Sequence, residues 1–202
     1  MLEAGLVPGV TIRFPDILRF EVGGTKKIVE CSDRVEDIPI TLQNGDYSVV
    51  QSVKFIPYAP GGVNYAETNA DVLSGFFTGC VMTIYTRDGV RRVGHVHTGA
   101  AYGPVDCRDF MRGLLRNPFS TYREISSFKP YENINAQLFL DIAGRAPQFF
   151  GGGCRVFGLV SSTNRCFSVF TRSIGTHEYL VEKCIDNTVR PYIAILCRLC
   201  NF

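Results

Sequence analysis

Apolar and polar residues alternate with a period of two, or run apolar in short blocks between Gly, Pro and Asp punctuation, along most of this chain. The alternation in residues 10–14, 18–22 and 38–42, and the longer run over 47–56, predicts an N-terminal set of strands. Val81-Met82-Thr83-Ile84-Tyr85-Thr86 is rich in β-branched and aromatic residues, and Asp88-Gly89 is a two-residue turn signal. Val90-Arg91-Arg92-Val93 then resumes an extended run toward His95 and His97, which predicts a β-hairpin. Residues 155–160, 166–171, 179–184 and 189–196 read as further strands joined by short turns, the first of them preceded by Gly151-Gly152-Gly153. Helical spacing is rarer. Phe110, Met111, Leu114 and Leu115 recur at it within 107–116, and Pro118 stops the pattern. The apolar run 134–143 fits a helix or a strand equally well. The sum is an α/β or, more narrowly, α+β fold of mostly antiparallel packed β-sheets, a β-sandwich-like core with few flanking helices. One domain over residues 1–202 is expected at this length.

Composition narrows the function classes. With 46% hydrophobic and 20% charged residues the chain reads as an ordinary globular domain, and a formal net charge of +2 provides no strong field. Arg91-Arg92 is a pair on the hairpin rather than a basic stripe, so no nucleic-acid partner is expected. No apolar run approaches the roughly 18 residues of a membrane span. Met1-Leu2-Glu3-Ala4-Gly5 lacks the charged and apolar regions of a signal peptide. No membrane span is expected, and a monomer is.

Eight cysteines, at 31, 80, 107, 154, 166, 184, 197 and 200, raise the question of a disulfide framework. A chain this long does not need one, and Cys154, Cys166 and Cys184 lie in or beside apolar runs, so buried free thiols are expected. Cys197-Arg198-Leu199-Cys200 has the spacing of half a zinc site or a redox pair, but without a second pair at ligand spacing no metal is expected. The triple glycine lacks the Lys-Ser/Thr of a P-loop and precedes a strand, so it reads as a connection. Phe149-Phe150 and Phe76-Phe77 read as core in a chain with 15 phenylalanines. No cofactor is expected.

The chemistry-bearing residues gather around the hairpin. Thr78-Gly79-Cys80 immediately precedes its first strand, and Gly94-His95-Val96-His97-Thr98-Gly99 closes its second, so Cys80 and His97 fall at the same open end. A free thiol has a pKa of about 8.5, and a neighbouring imidazolium lowers it toward the reactive thiolate. His95 and His97, two apart on a strand, share a face, and the pattern alone leaves both within reach of the thiol. Thr78 and Ser74 offer hydroxyls that either orient an imidazole or satisfy their own turns. The contrasting reading is a non-enzymatic β-rich binding domain in which Cys80 packs as a small hydrophobe.

Ser74-Gly75-Phe76-Phe77-Thr78-Gly79-Cys80 and Val96-His97-Thr98-Gly99 resemble the catalytic core of the cytotoxic necrotizing factor family of bacterial toxins. In those cysteine-histidine glutamine deamidases a Ser-Gly-Cys turn leads into a hairpin and a Val-His-Thr-Gly-like strand. The plan is also similar to the chemoreceptor deamidase of bacterial chemotaxis, where a hydroxyl residue six positions before the cysteine joins the site and the histidine ends a Gly-x-x-His sequence. Ser74 and Gly94-His95-Val96-His97 match those two features. A related lethal factor that deamidates a translation helicase shares the arrangement. The resemblance is confined to about residues 70–100, with serine and threonine exchanged at the supporting hydroxyls.

What the resemblance implies is a single catalytic domain in which Cys80 is the nucleophile and His97 its base, supported by Thr78, Ser74 and Gly79. The expected enzyme is a protein-glutamine deamidase, a hydrolase acting through a thioester, in which backbone N–H groups near Gly79 and Cys80 stabilise the oxyanion. The resemblance further implies a secreted or injected bacterial effector acting in the host cytosol, with a host protein as substrate and a Rho-family small GTPase as first candidate. A transglutaminase or a cysteine protease would use the same Cys-His pair.

Overall fold

The computed structural model describes residues 2–21, 30–31, 35–98, 107–132, 136–145 and 153–188. Twelve strands and two helices are described, and nearly all strand pairs are antiparallel. Seven strands close into a barrel: β1 (Thr11–Arg13), β3 (Glu36–Asn44), β4 (Tyr47–Ile56), β6 (Val72–Gly75), β10 (Cys154–Val160), β11 (Cys166–Gly175) and β12 (Glu178–Asp186). Their order is β1-β12-β11-β10-β6-β4-β3, and β1 closes the ring by pairing with both β12 and β3. A separate five-stranded sheet runs β2-β5-β8-β7-β9, from β2 (Glu30–Cys31) and β5 (Val63–Glu67) through β8 (Val90–Val96) and β7 (Val81–Arg87) to β9 (Tyr122–Phe128). The structure is thus the expected β-rich α+β fold of packed sheets, with one of the sheets closed on itself.

Burial explains which strands alternate and which run apolar. In β3 only Ile38, Ile40 and Leu42 point into the barrel, and the intervening residues meet solvent. In β10, Phe157 and Leu159 fill the barrel while Val156 and Val160 pack outward against the second sheet. The same division recurs in β11, with Phe167 and Val169 inside and Cys166 and Phe170 outside. β7 is likewise buried on both faces: Met82 and Ile84 meet the barrel wall, and Val81 and Tyr85 meet Met111 of α1 (Cys107–Arg116). The molecule is therefore layered as barrel, sheet and helix. The second helix, α2 (Ala136–Gly144), adds Ile142 to the core between barrel and sheet, so the ambiguous apolar run resolves as helix.

Four strands escape the pattern reading, the two-residue β2 and three others. β6 is four residues long and half Ser and Gly, β5 buries Asn64 among its apolar residues, and β9 is mostly polar. Residues 18–21 correct an expected strand. Leu18 N–H donates to Pro15 O at 3.0 Å, forming a turn, and Phe20 caps the barrel by stacking on Phe76 at 4.5 Å. Burying those side chains in the aromatic cluster of Phe14, Phe55 and Phe157 outweighs strand pairing, of which only a Glu21–Tyr58 bridge survives. The expected strand over 189–196, Gly151-Gly152, Phe149-Phe150 and Cys197–Cys200 lie outside the described residues. No helix among the described residues is long and apolar enough to cross a membrane.

The two sheets meet closely at Gly158, where an added Cβ would stand 2.7 Å from Met82 Sδ, 2.9 Å from Pro130 Cγ and 3.1 Å from Phe77 Cε2. Gly158→Ala is expected to lower stability by about 1–3 kcal/mol, read as a lower urea midpoint at unchanged m. Gly113→Ala on α1, where nothing lies within 4 Å, should instead raise stability by up to about 1 kcal/mol.

Candidate active site

The site forms where the chain leaves the barrel for the second sheet. After Gly75 ends β6, residues 76–79 cross the seam, anchored by Phe77 N–H to Val156 O at 2.9 Å, and Cys80 delivers the chain into β7. The Asp88-Gly89 turn reverses it with left-handed φ values of 53° and 78°, and β8 returns antiparallel. Asp88 tolerates that region better than most side chains and glycine tolerates it freely, so the predicted turn forms as a tight two-residue loop.

The register decides the geometry. Val81 pairs with Val96, so Cys80, one step before, and His97, one step after, stand opposite each other across the pair. Directly opposed residues in an antiparallel pair project to one face with Cβ atoms about 4.5–5.5 Å apart. Cys80 packs with Met82 in the core between the sheets, which fixes that face as the one toward the barrel. The neighbouring strand holds the position of His97 as well, since its N–H donates to Gly62 O at 3.1 Å. Both side chains are buried, with 7% of Cys80 and 5% of His97 exposed, while Thr78 and Gly79 at the rim are exposed. The site is thus recessed behind the turn.

The two histidines share a face as expected but differ in surroundings. His97 Nδ1 shares a 2.7 Å hydrogen bond with the hydroxyl of Tyr58. Tyr58 stands in the loop Pro57-Tyr58-Ala59-Pro60, with its backbone N–H donated to Phe20 O at 2.8 Å. Pro57 O in turn accepts from Asn64 Nδ2 at 3.1 Å. His95 lies flat against Phe77, with centroids 4.2 Å apart and planes at 15°. Its Nδ1 meets Ser74 Oγ at 2.8 Å, and Ser74 donates its one proton to Ile56 O at 2.5 Å. Ser74 must therefore accept from His95 Nδ1–H, which leaves Nε2 as the bare nitrogen. Burial above all, and then the nearness of His97, push the His95 pKa down to about 3, so the ring is neutral.

Among the residues singled out in the sequence, Cys80, His97 and Gly79 come together at the hairpin's open end. Ser74 joins them through His95, not through His97. Thr78 projects to solvent, and the hydroxyl that ties the turn is Thr98, whose Oγ1 donates to Gly79 O at 2.7 Å. Tyr58 was not visible as a site residue, because a single tyrosine in a loop carries no spacing; its flanking prolines signal only that the loop is stiff. Cys154, Cys166 and Cys184 are free and pushed up to about 11, chiefly by burial, so they stay protonated at neutral pH.

No family model, curated protein or solved structure matches this chain.

The neutral His95 makes stability depend on pH. Its pKa is about 6.5 in the unfolded chain and about 3 in the fold, so between these values the unfolded chain binds the extra proton. Stability is then expected to rise with pH across that window and to fall on acidification through it, by up to about 1.4 kcal/mol per pH unit. Urea unfolding at pH 7, 6, 5 and 4 checks this against His95→Gln, which should lose that part of the slope.

Proposed function

We propose that this protein is a cysteine-dependent hydrolase of side-chain carboxamides, a protein-glutamine deamidase acting on another protein. The observation that carries the reading is the opposition of Cys80 and His97 that continues the hairpin register, with Tyr58 bonded to Nδ1 of the imidazole. A nucleophile, a base and a group orienting the base are the parts that acyl transfer through a thiol requires.

In this reading His97 donates Nδ1–H to Tyr58 and presents Nε2 to the thiol. His97 takes the Cys80 proton, and the thiolate attacks the carboxamide carbon. The N–H groups of the Gly79-Cys80 turn receive the oxyanion. Protonated His97 then passes its proton to the leaving nitrogen, ammonia departs, and a thioester remains on Cys80. Water, losing a proton to His97, attacks the thioester; the thiolate leaves and glutamate is released. His95, neutral and with its Nδ1–H held by Ser74, takes no part in the proton transfers of this cycle and supports the turn through Phe77.

The recess favours a carboxamide on a flexible stem over a peptide bond. With Cys80 7% exposed behind an exposed turn, a glutamine side chain reaches the thiol more readily than a backbone amide carrying side chains on both flanks. The motif resemblance supports the same reaction, and it extends to a secreted or injected bacterial effector with a Rho-type small GTPase as first substrate.

The test is mass spectrometry of a panel of host GTPases incubated with the protein. A gain of about 1 Da at one glutamine, absent with Cys80→Ser and lowered at least about 100-fold by His97→Ala, is the expected result. Tyr58→Phe should lower kcat about tenfold at unchanged KM, because it loosens the base without touching the substrate. Amine incorporation would redirect the reading to a transglutaminase and cleavage to a protease. No modification, with an ordinary Cys80 titration, would leave a binding domain.

A further inference from the structure

The far face of the five-stranded sheet carries a second concavity, independent of the site above. α1 spans it, β7, β8 and β9 form its floor, and its volume is about 290 Å³. That is close to the lower limit of about 300 Å³ for small-molecule pockets. Val81, Val96, Met111 and Leu115 make its interior apolar.

Its rim is cationic. Arg108, Arg112 and Arg116 recur every four residues along α1, and Arg123 joins them from β9. Like charges at that spacing disfavour a helix unless something opposes them. Asp109 does so for the first two, at 3.8 Å from Arg108 and 3.0 Å from Arg112. Arg116 has no carboxylate partner among the described residues. Arg123 donates to the carbonyls of Ser120, Tyr122 and Pro118, which carry no charge. The one acid lining the cavity, Glu124, accepts from Ser127 at 2.6 Å, Ser127 bonds Thr83 at 2.6 Å, and among the described residues Glu124 forms no ion pair with either arginine.

We propose that this cavity binds a small organic anion, with an apolar body between α1 and the sheet and a carboxylate or phosphate head on Arg116 and Arg123. Four arginines face one lining carboxylate, Glu124, and two of them, Arg116 and Arg123, form no ion pair among the described residues, so the cavity carries excess positive charge, and guanidinium pairs such heads through two parallel hydrogen bonds. The concavity favours a small molecule over a macromolecular surface, which would meet the arginines without filling the interior.

Titration calorimetry of the purified protein tests the assignment with octanoate, phenyl phosphate, inorganic phosphate and 1-octanol. At least one of the two organic anions is expected to bind at a single saturable site, and the tighter of them identifies the head group. Arg116→Ala and Arg123→Ala, both at exposed positions, should each weaken it about tenfold or more at an unchanged melting temperature, and 0.5 M salt should weaken it further. Inorganic phosphate binding as tightly as the organic anions would overturn the apolar body, and 1-octanol binding as tightly as octanoate would overturn the charged head. Absence of saturable binding by either anion, or polyglutamate binding in their place, would overturn the proposal.

Discussion

Everything at the candidate site depends on the register of one β-hairpin. Asp88 and Gly89, both at positive φ, set a two-residue turn whose twist matches the strands on either side. From that turn each pair follows by counting, through Arg87–Val90 to Val81–Val96, and one step beyond it to Cys80 and His97. A slip of a single residue would set Cys80 against Val96 or Thr98 and turn the side chain of His97 to the other face. Two residues 17 positions apart in sequence are thus held together by a turn that touches neither.

The layering of the fold supplies the environment. Barrel and second sheet press together along β6, β10 and β7, and the histidines of β8 lie in that seam. Two imidazoles in one buried seam cannot both carry charge at low cost. His95 is deeper, stacked on Phe77 and tied to Ser74, and stays neutral; His97 lies at the strand end, bonded to Tyr58. Two histidines that look equivalent by sequence spacing therefore differ in the chemistry open to them.

What was legible in the sequence was mostly what local periodicity encodes. The hairpin, β4 and α1 follow their patterns because alternation, a two-residue turn and helical spacing are local signals. β6 and β9 were not legible, since a four-residue strand and a polar strand are defined by their neighbours. The aromatic cap at Phe20 looked like a strand because alternation records burial and not hydrogen bonding. Within the site, Cys80 and His97 could be read because one turn relates them. The division of labour between Ser74 and Tyr58 could not, because it depends on where the barrel strand β6 and the loop after β4 come to lie.

The closed ring also bears on the behaviour of the molecule in concentrated solution. Closure pairs each of the seven barrel strands on both sides along at least part of its length, which shortens the rows of unpaired backbone donors and acceptors that could template another chain. Among the described residues the rows unpaired along a whole strand belong to the five-stranded sheet, at β2 and β9. β9 carries Arg123 and Glu124, and charges along an open strand discourage edge-to-edge association. The same barrel closure that backs the recessed thiol thus leaves the two end strands of the smaller sheet, one of them charged, as the only described strands open along a whole side.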